Sequence, residues 1–334
     1  MRIRGPVAPM LAATVEEIPA GEALAFEPKW DGFRVQVRVE AEGGVELYSR
    51  TCTRLTGSFP ETVAAVGRHV PAGTVLDGEL VHWSPAGRLD FEVLRQRLGL
   101  GPRRAAEHAR RHPVTVAVFD VLETADEGDL RGRPLAERRA VLERLLAGVP
   151  GTDLVILTPQ TTDRGEAELW LEVLPAQGIE GLVIKPLAGA YTSGTRGWMK
   201  IKHRRETLVI VGGYTGPVTA PTSLVIGRYF DDGVLRIAGR TGAPPADLRD
   251  ELRAELEARS PAPPGHPWPE LLSPGWGPGR RAPIPYQRIE PTLVAQVSVD
   301  IAEDRGRRWR HTARLLELRT DLTPADVPTG LRIE

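Results

Sequence analysis

Residues 34–40 read Arg-Val-Gln-Val-Arg-Val-Glu, with valine alternating against charged or amide side chains. A period of two puts the valines on one face and predicts a half-buried strand. Apolar runs of strand length predict further strands over 45–49, 74–83, 114–122, 154–157 and 181–185. Helices are predicted over 60–69, 91–98, 135–146 and 165–174. Ahead of the last, Asp163 and Glu166 stand three positions apart, the spacing of a capping box.

After residue 202 the pattern changes. Short strands are predicted over 208–214, 224–229, 234–239, 293–299 and 315–319, with one helix over 245–259. Five short strands and a helix suit a small barrel of the OB kind. Residues 260–285 are dense in proline and glycine, carry Trp268 and Trp276, and read as a long irregular loop. No fixed-period repeat is visible. The expected organisation is an α+β domain over 1–203 with mixed and antiparallel sheets, then an all-β OB-fold barrel domain over 204–334.

Length agrees, since 334 residues suffice for two domains that each bury a core. Apolar residues make up 41% and charged residues 26%, ordinary for a soluble globular chain. The longest apolar stretches, such as 114–118, fall far short of a membrane span. Arg2 and Arg4 are not followed by the apolar core of a signal peptide. Cys52 is the only cysteine, which leaves no disulfide frame and no zinc cluster. A cytoplasmic protein with no membrane partner is expected. With 43 basic and 44 acidic residues, net charge neither announces nor excludes nucleic acid. Phosphate binding needs a local basic surface, not a basic total.

Of the 43 basic residues, 39 are arginine and four are lysine: Lys29, Lys185, Lys200 and Lys202. Codon bias accounts for the depletion, but not for where the survivors stand. A lysine amine can lose its proton and become a nucleophile, which an arginine effectively cannot. The four lysines are therefore the first places to look for chemistry.

Lys29 lies in Glu27-Pro28-Lys29-Trp30-Asp31-Gly32-Phe33-Arg34, just before the alternating strand, where a turn can present it to a pocket. Alone, this string reads as well as a surface turn built on Asp31-Gly32. Further on come Tyr48-Ser49-Arg50, Asp77-Gly78-Glu79, Phe119-Asp120, Glu180-Gly181-Leu182-Val183-Ile184-Lys185 and Trp198-Met199-Lys200-Ile201-Lys202. Each fragment is a weak signal by itself. Six in this order, containing all four lysines, are a strong one. Lys200 and Lys202 alternate on one strand and so point to the same side.

Over about residues 7–322 these motifs resemble the covalent nucleotidyltransferases: ATP-dependent ligases, RNA ligases and mRNA capping enzymes. The wording is most similar to the small two-domain bacterial DNA ligases associated with Ku-dependent end joining. Pro6-Val7-Ala8-Pro9-Met10-Leu11-Ala12, Phe59-Pro60-Glu61, Lys200-Ile201-Lys202-His203 and Arg310-His311-Thr312-Ala313-Arg314 share that likeness. NAD-dependent ligases carry a four-cysteine zinc element, against which a single cysteine argues.

The resemblance implies that Lys29 attacks the α-phosphate of ATP, expels pyrophosphate and holds AMP as a phosphoramidate. For that the amine must be neutral, a state that Arg34, Lys200 and Lys202 would favour. Lys200 and Lys202 would neutralise the α-phosphate, with Lys185 supporting the phosphates. Arg34 and Arg50 would contact AMP first and the 5′-phosphate of a nick later, and Asp31 would serve the last step near the 3′-hydroxyl. Phe119 would stack on one adenine face, Val183 would close the other, and Glu27 would read the amino group. Glu79 and Glu180 are the candidates for Mg²⁺ or Mn²⁺ and for the ribose hydroxyls. The implied function is nick sealing in DNA repair (non-homologous end joining) by a monomer acting on nicked duplex DNA. Ku or another end-joining protein is the candidate partner.

The barrel motif departs from the pattern. Glu317 stands where relatives often have arginine, and Gln296 where they commonly have glutamate. Arg305, Arg307, Arg308 and Arg310 form a basic cluster that could meet phosphates. Two alternatives stay open at this point. An RNA ligase or capping guanylyltransferase would use the same chemistry. A nick-binding accessory protein without catalysis would show a broken lysine or carboxylate set.

Overall fold

The computed structural model describes residues 3–21, 23–272, 282–300, 303–304 and 308–331. Trp276, Arg305 and Arg307 lie outside the described residues. The chain divides into two compact units, Met1–His203 and Arg204–Glu334.

The first unit opens with β1 (Ala12–Thr14), β2 (Leu24–Pro28), β3 (Phe33–Val39), β4 (Val45–Ser49), α1 (Pro60–His69), β5 (Thr74–Val81), α2 (Phe91–Arg97) and α3 (Pro102–Arg111). It continues with β6 (Thr115–Thr124), β7 (Gly128–Asp129), α4 (Leu135–Leu146), β8 (Val155–Leu157), α5 (Arg164–Val173), β9 (Gly181–Pro186) and β10 (Trp198–Lys202). One sheet has the order β4-β3-β5-β6-β7, with β8 parallel beside β6. The other has the order β1-β10-β9-β2. Helix α5 starts where Asp163 accepts from the Glu166 N–H at 3.0 Å, one half of a capping box.

Strands β1, β2 and β7 and helix α3 are absent from the sequence reading, and β3 differs from it. Strand β3 is covered on both faces, because the chain's first residues lie across its polar side. Arg38 donates to the carbonyls of Ile3 and Gly5, and the Val7 N–H donates to Gln36. Glu123 on β6 takes the Ile3 N–H at 2.7 Å. Helix α3 has a weak sequence signal because only Ala105 and Ala109 are buried on it. Two alanines leave too faint a stripe among four arginines to be read as an amphipathic helix.

The second unit contains β11 (Arg204–Thr215), β12 (Ser223–Tyr229), β13 (Leu235–Arg240), α6 (Arg249–Ala258), β14 (Leu271–Leu272) and β15 (Ile284–Pro285). It ends with β16 (Gln287–Asp300), β17 (Glu303–Asp304), β18 (Arg308–Trp309) and β19 (Arg314–Leu318). Five strands join in the order β13-β12-β11-β16-β19. The two edges then meet: the Ala313 N–H donates to Arg240 and the Gly242 N–H to Ala313, each at 2.9 Å. That parallel bridge closes the sheet as an OB-type barrel.

The stretch over 260–285 is not simply an irregular loop. Strands β14 and β15 pair across it, and Trp268 is buried, with its indole N–H donating to the Leu235 carbonyl at 3.1 Å. The indole lies flat on the barrel wall, where a Cβ on Gly212 or Gly227 would fall 2.3 Å from its ring. Trp268→Ala should remove this plug and cost about 3–5 kcal/mol. Denaturant unfolding followed on the second unit should show the loss.

Candidate active site

The four-stranded sheet of the first unit has two chemically distinct faces, fixed by alternation. Leu182 and Ile184 on β9, with Met199 and Ile201 on β10, pack with Phe26, Ala167 and Trp170 beneath α5. Their neighbours Gly181, Val183 and Lys185, with Trp198, Lys200 and Lys202, must face the other way. Register then lines them up. Glu27 on β2 pairs with Val183, Val183 with Lys200, and Gly181 with Lys202.

Lys29 follows β2 directly, and its backbone is tied to the start of β9. The Lys29 N–H donates to the Gly181 carbonyl at 2.8 Å, and the Glu180 N–H returns a bond to Lys29 at 2.9 Å. This pairing sets the two side chains together, and the Lys29 amine donates to Glu180 Oε2. Lys202 Nζ lies 3.6 Å from the same oxygen. Gly32 closes the turn because β5 presses against it: a Cβ there would lie 2.1 Å from the Leu80 carbonyl oxygen.

The six-stranded sheet supplies the opposite wall. Arg34 on β3 stands across from Glu79 and makes a bidentate pair with Asp77, both bonds 2.6 Å. Its guanidinium sits 4.5 Å from the Phe119 ring centroid. Tyr191 donates to Asp77 Oδ2 at 2.5 Å and accepts the Met10 N–H at 3.0 Å. Burial, then Asp77, raises the Tyr191 pKa, so the phenol stays a donor. Burial likewise pushes the Glu79 carboxyl up to about 8, against the pull of Arg34 and Lys29.

Between these walls lies a cavity of about 270 Å³. Glu27, Lys29, Arg34, Arg50, Glu79, Phe119, Val183, Lys185 and Lys200 all line it. Glu180 and Lys202 meet Lys29 at its margin without lining it. Asp31 does not line it either, but its charge reaches Glu79. One end is aromatic, with Phe119 edge-on to Trp198 at 6.0 Å between centroids. The other is cationic. Burial and the charges of Lys29 and Lys202 lower the Lys200 pKa, with Glu180 opposing them. An aromatic slot beside clustered ammonium groups is what a nucleoside polyphosphate requires.

Lys185 is fully buried, with Nζ 2.6 Å from Glu27 Oε2, whose other oxygen accepts from Gln160 at 2.8 Å. Among the described residues, no three histidine, cysteine, aspartate or glutamate side chains form a metal cage. Glu79 lines the cavity and Glu180 stands at its margin, carboxylates of the kind of oxygen donor that Mg²⁺ or Mn²⁺ takes.

Tyr191, Gln160 and Arg196, the last an exposed cation on the cavity wall, were not singled out by sequence. Tyr191 alone had a local signal, as an aromatic residue within the turn-like Gly189–Gly194 stretch. Of the barrel residues, Gln296 faces Glu317 across the β16–β19 pair and donates to Glu206 at 2.7 Å.

Residues 9–202 match the family described as ATP dependent DNA ligase domain. DNA ligase C2 of Mycolicibacterium smegmatis is 39% identical, over 95% of this chain and 91% of that protein. DNA ligase C of Mycobacterium tuberculosis is 36% identical, over 96% and 91%. Among solved structures, the ligase domain of M. tuberculosis LigD superposes with a TM-score of 0.50 at 25% identity, over 97% and 98% of the two chains. A Lig E DNA ligase superposes at 0.56 with 17% identity, covering 93% and 99%, a likeness of fold.

Removing the Tyr191 hydroxyl orphans the buried Met10 N–H and takes a donor from Asp77. Tyr191→Phe should therefore cost about 1–3 kcal/mol of stability. Urea unfolding of the variant against wild type would measure it.

Proposed function

The chain belongs to the ATP-dependent DNA ligase family, and from that membership we propose that Lys29 is its nucleotide-carrying residue. The carrying observation is the pairing of Lys29 and Lys202 with Glu180, with Lys200 close enough to feel all three charges, beside a cavity with an aromatic end. The RNA ligase, capping and accessory alternatives are not favoured, since relatives at 36–39% identity over most of the chain are named DNA ligases.

In this reading the Lys29 amine attacks the α-phosphorus of ATP, forming the N–P bond as the bond to pyrophosphate breaks. The Lys29 ammonium, held by Glu180, must first pass a proton to that carboxylate or to water, since an ammonium has no lone pair to offer. Lys200 and Lys202 neutralise the charge that builds on the phosphate. The 5′-phosphate of a nick then takes AMP from Lys29, and the 3′-hydroxyl attacks that phosphate and expels AMP. Arg34 and Arg50 hold phosphate oxygens through these steps, Lys185 supports the nucleotide, and Asp31 serves the 3′-hydroxyl. Phe119 and Val183 bracket the adenine and Glu27 accepts from its amino group. Glu79 and Glu180 would hold Mg²⁺ or Mn²⁺, which supplies further neutralisation of phosphate charge when bound.

The first unit is then the adenylation domain and the second the OB-fold domain. Repair of DNA breaks in the cytoplasm, as a monomer and with Ku or another end-joining protein, is the setting that the resemblance supports.

Incubation with α-labelled ATP and a divalent cation should label the wild type, and Lys29→Ala should abolish the label by at least a hundredfold. Nicked DNA should discharge it. Label from GTP in place of ATP, or undiminished label on Lys29→Ala, would overturn the proposal.

A further inference from the structure

At the aromatic end of the cavity, Glu27 is only 2% exposed, yet both its oxygens are held from behind. Gln160 donates to Oε1 at 2.8 Å and Lys185 Nζ lies 2.6 Å from Oε2. Neither partner is free to wander. The segment carrying Gln160 is pinned to β2, with Phe26 and Thr161 exchanging backbone bonds of 2.8 and 3.0 Å. Lys185 donates to the Phe119 carbonyl at 3.3 Å, and its ammonium sits 4.5 Å from the Phe119 ring centroid and 4.2 Å from that of Trp198. With 1% of its side chain exposed, Lys185 offers almost nothing to a phosphate.

We propose that Gln160 and Lys185 are positioning residues that lock the Glu27 carboxylate as an oriented acceptor, making this trio the selector for a purine with a 6-amino group. The inference rests on the reading that Lys29 takes AMP from ATP, and it assigns Lys185 to the base and not to the phosphates. The chemistry follows from donor and acceptor counts. An ionised carboxylate only accepts, so it pairs with the adenine amino group and repels the guanine O6. A carboxylate free to swing could instead turn both oxygens toward the N1–H and amino group of guanine. Two fixed donors prevent that rotation.

The test compares ATP with purine riboside triphosphate, which lacks only the 6-amino group, in kcat/KM for labelling of Lys29. Wild type should prefer ATP. Gln160→Ala should narrow that preference roughly tenfold, by raising KM for ATP while the analogue changes little. Lys185→Met should narrow it too, and Gln160→Ala carries the test if Lys185→Met does not fold. A parallel fall for both nucleotides in the variants, as a phosphate contact or a merely structural role would give, overturns the proposal. So does a wild type with no preference. In either case labelling of Lys29 by ATP would still stand, whereas absence of that label would fault the underlying reading instead.

Discussion

Everything in the first unit's cleft depends on the two-residue period of β9 and β10. Their even-handed alternation sends Leu182, Ile184, Met199 and Ile201 under α5 and leaves Val183, Lys185, Lys200 and Lys202 on the opposite face. A slip of one residue would bury the lysines beneath the helix and put the aliphatic side chains in the cleft. Burial of the apolar face therefore fixes the register of the chemistry. The hydrophobic side of the sheet is as much a part of the site as the charged one.

The cleft is also built with an excess of positive charge at one end. Lys29 and Lys202 pair with the carboxylate of Glu180 and Lys200 lies within reach of its charge, while Arg50 adds its field from an exposed position. Such a cluster is costly while it faces water alone and is relieved by an incoming polyphosphate. The aromatic end is the opposite case. There two carboxylates are held by pairs of donors: Glu27 by Lys185 and Gln160, Asp77 by Arg34 and Tyr191. One end is rich in matched pairs and the other in cations, so the cavity has a direction.

Much of this was legible in the sequence because its signals are local. The Lys29 turn, the Glu180 and Lys200 strings and most strands carry their pattern within a few residues. What escaped depends on partners far apart in the chain. Gln160 is 133 positions from Glu27, and Tyr191 is 114 from Asp77, so neither leaves a periodic trace. The cover over β3 was missed for the same reason: Arg38 looks like a solvated strand residue until residues 3–7 fold across it. Trp268 was hidden by composition, since a proline- and glycine-rich segment reads as loop even when one of its side chains plugs a barrel wall.

The scarcity of lysine now has a physical counterpart. Where arginine can serve, this chain uses it, even fully buried, as Arg97, Arg138 and Arg228 show. The four lysines all sit in one unit, around one cavity. Lys185 occupies a gap between two aromatic rings and a carbonyl that suits a compact ammonium, whereas a planar guanidinium would need more width. Lys29 and Lys202 converge on a single carboxylate oxygen, with Lys200 in their field, where three guanidinium forks would crowd one another. Shape thus accounts for lysine at Lys185, Lys200 and Lys202, and the proposed role of Lys29 as nucleotide carrier adds the need for an amine that can lose its proton.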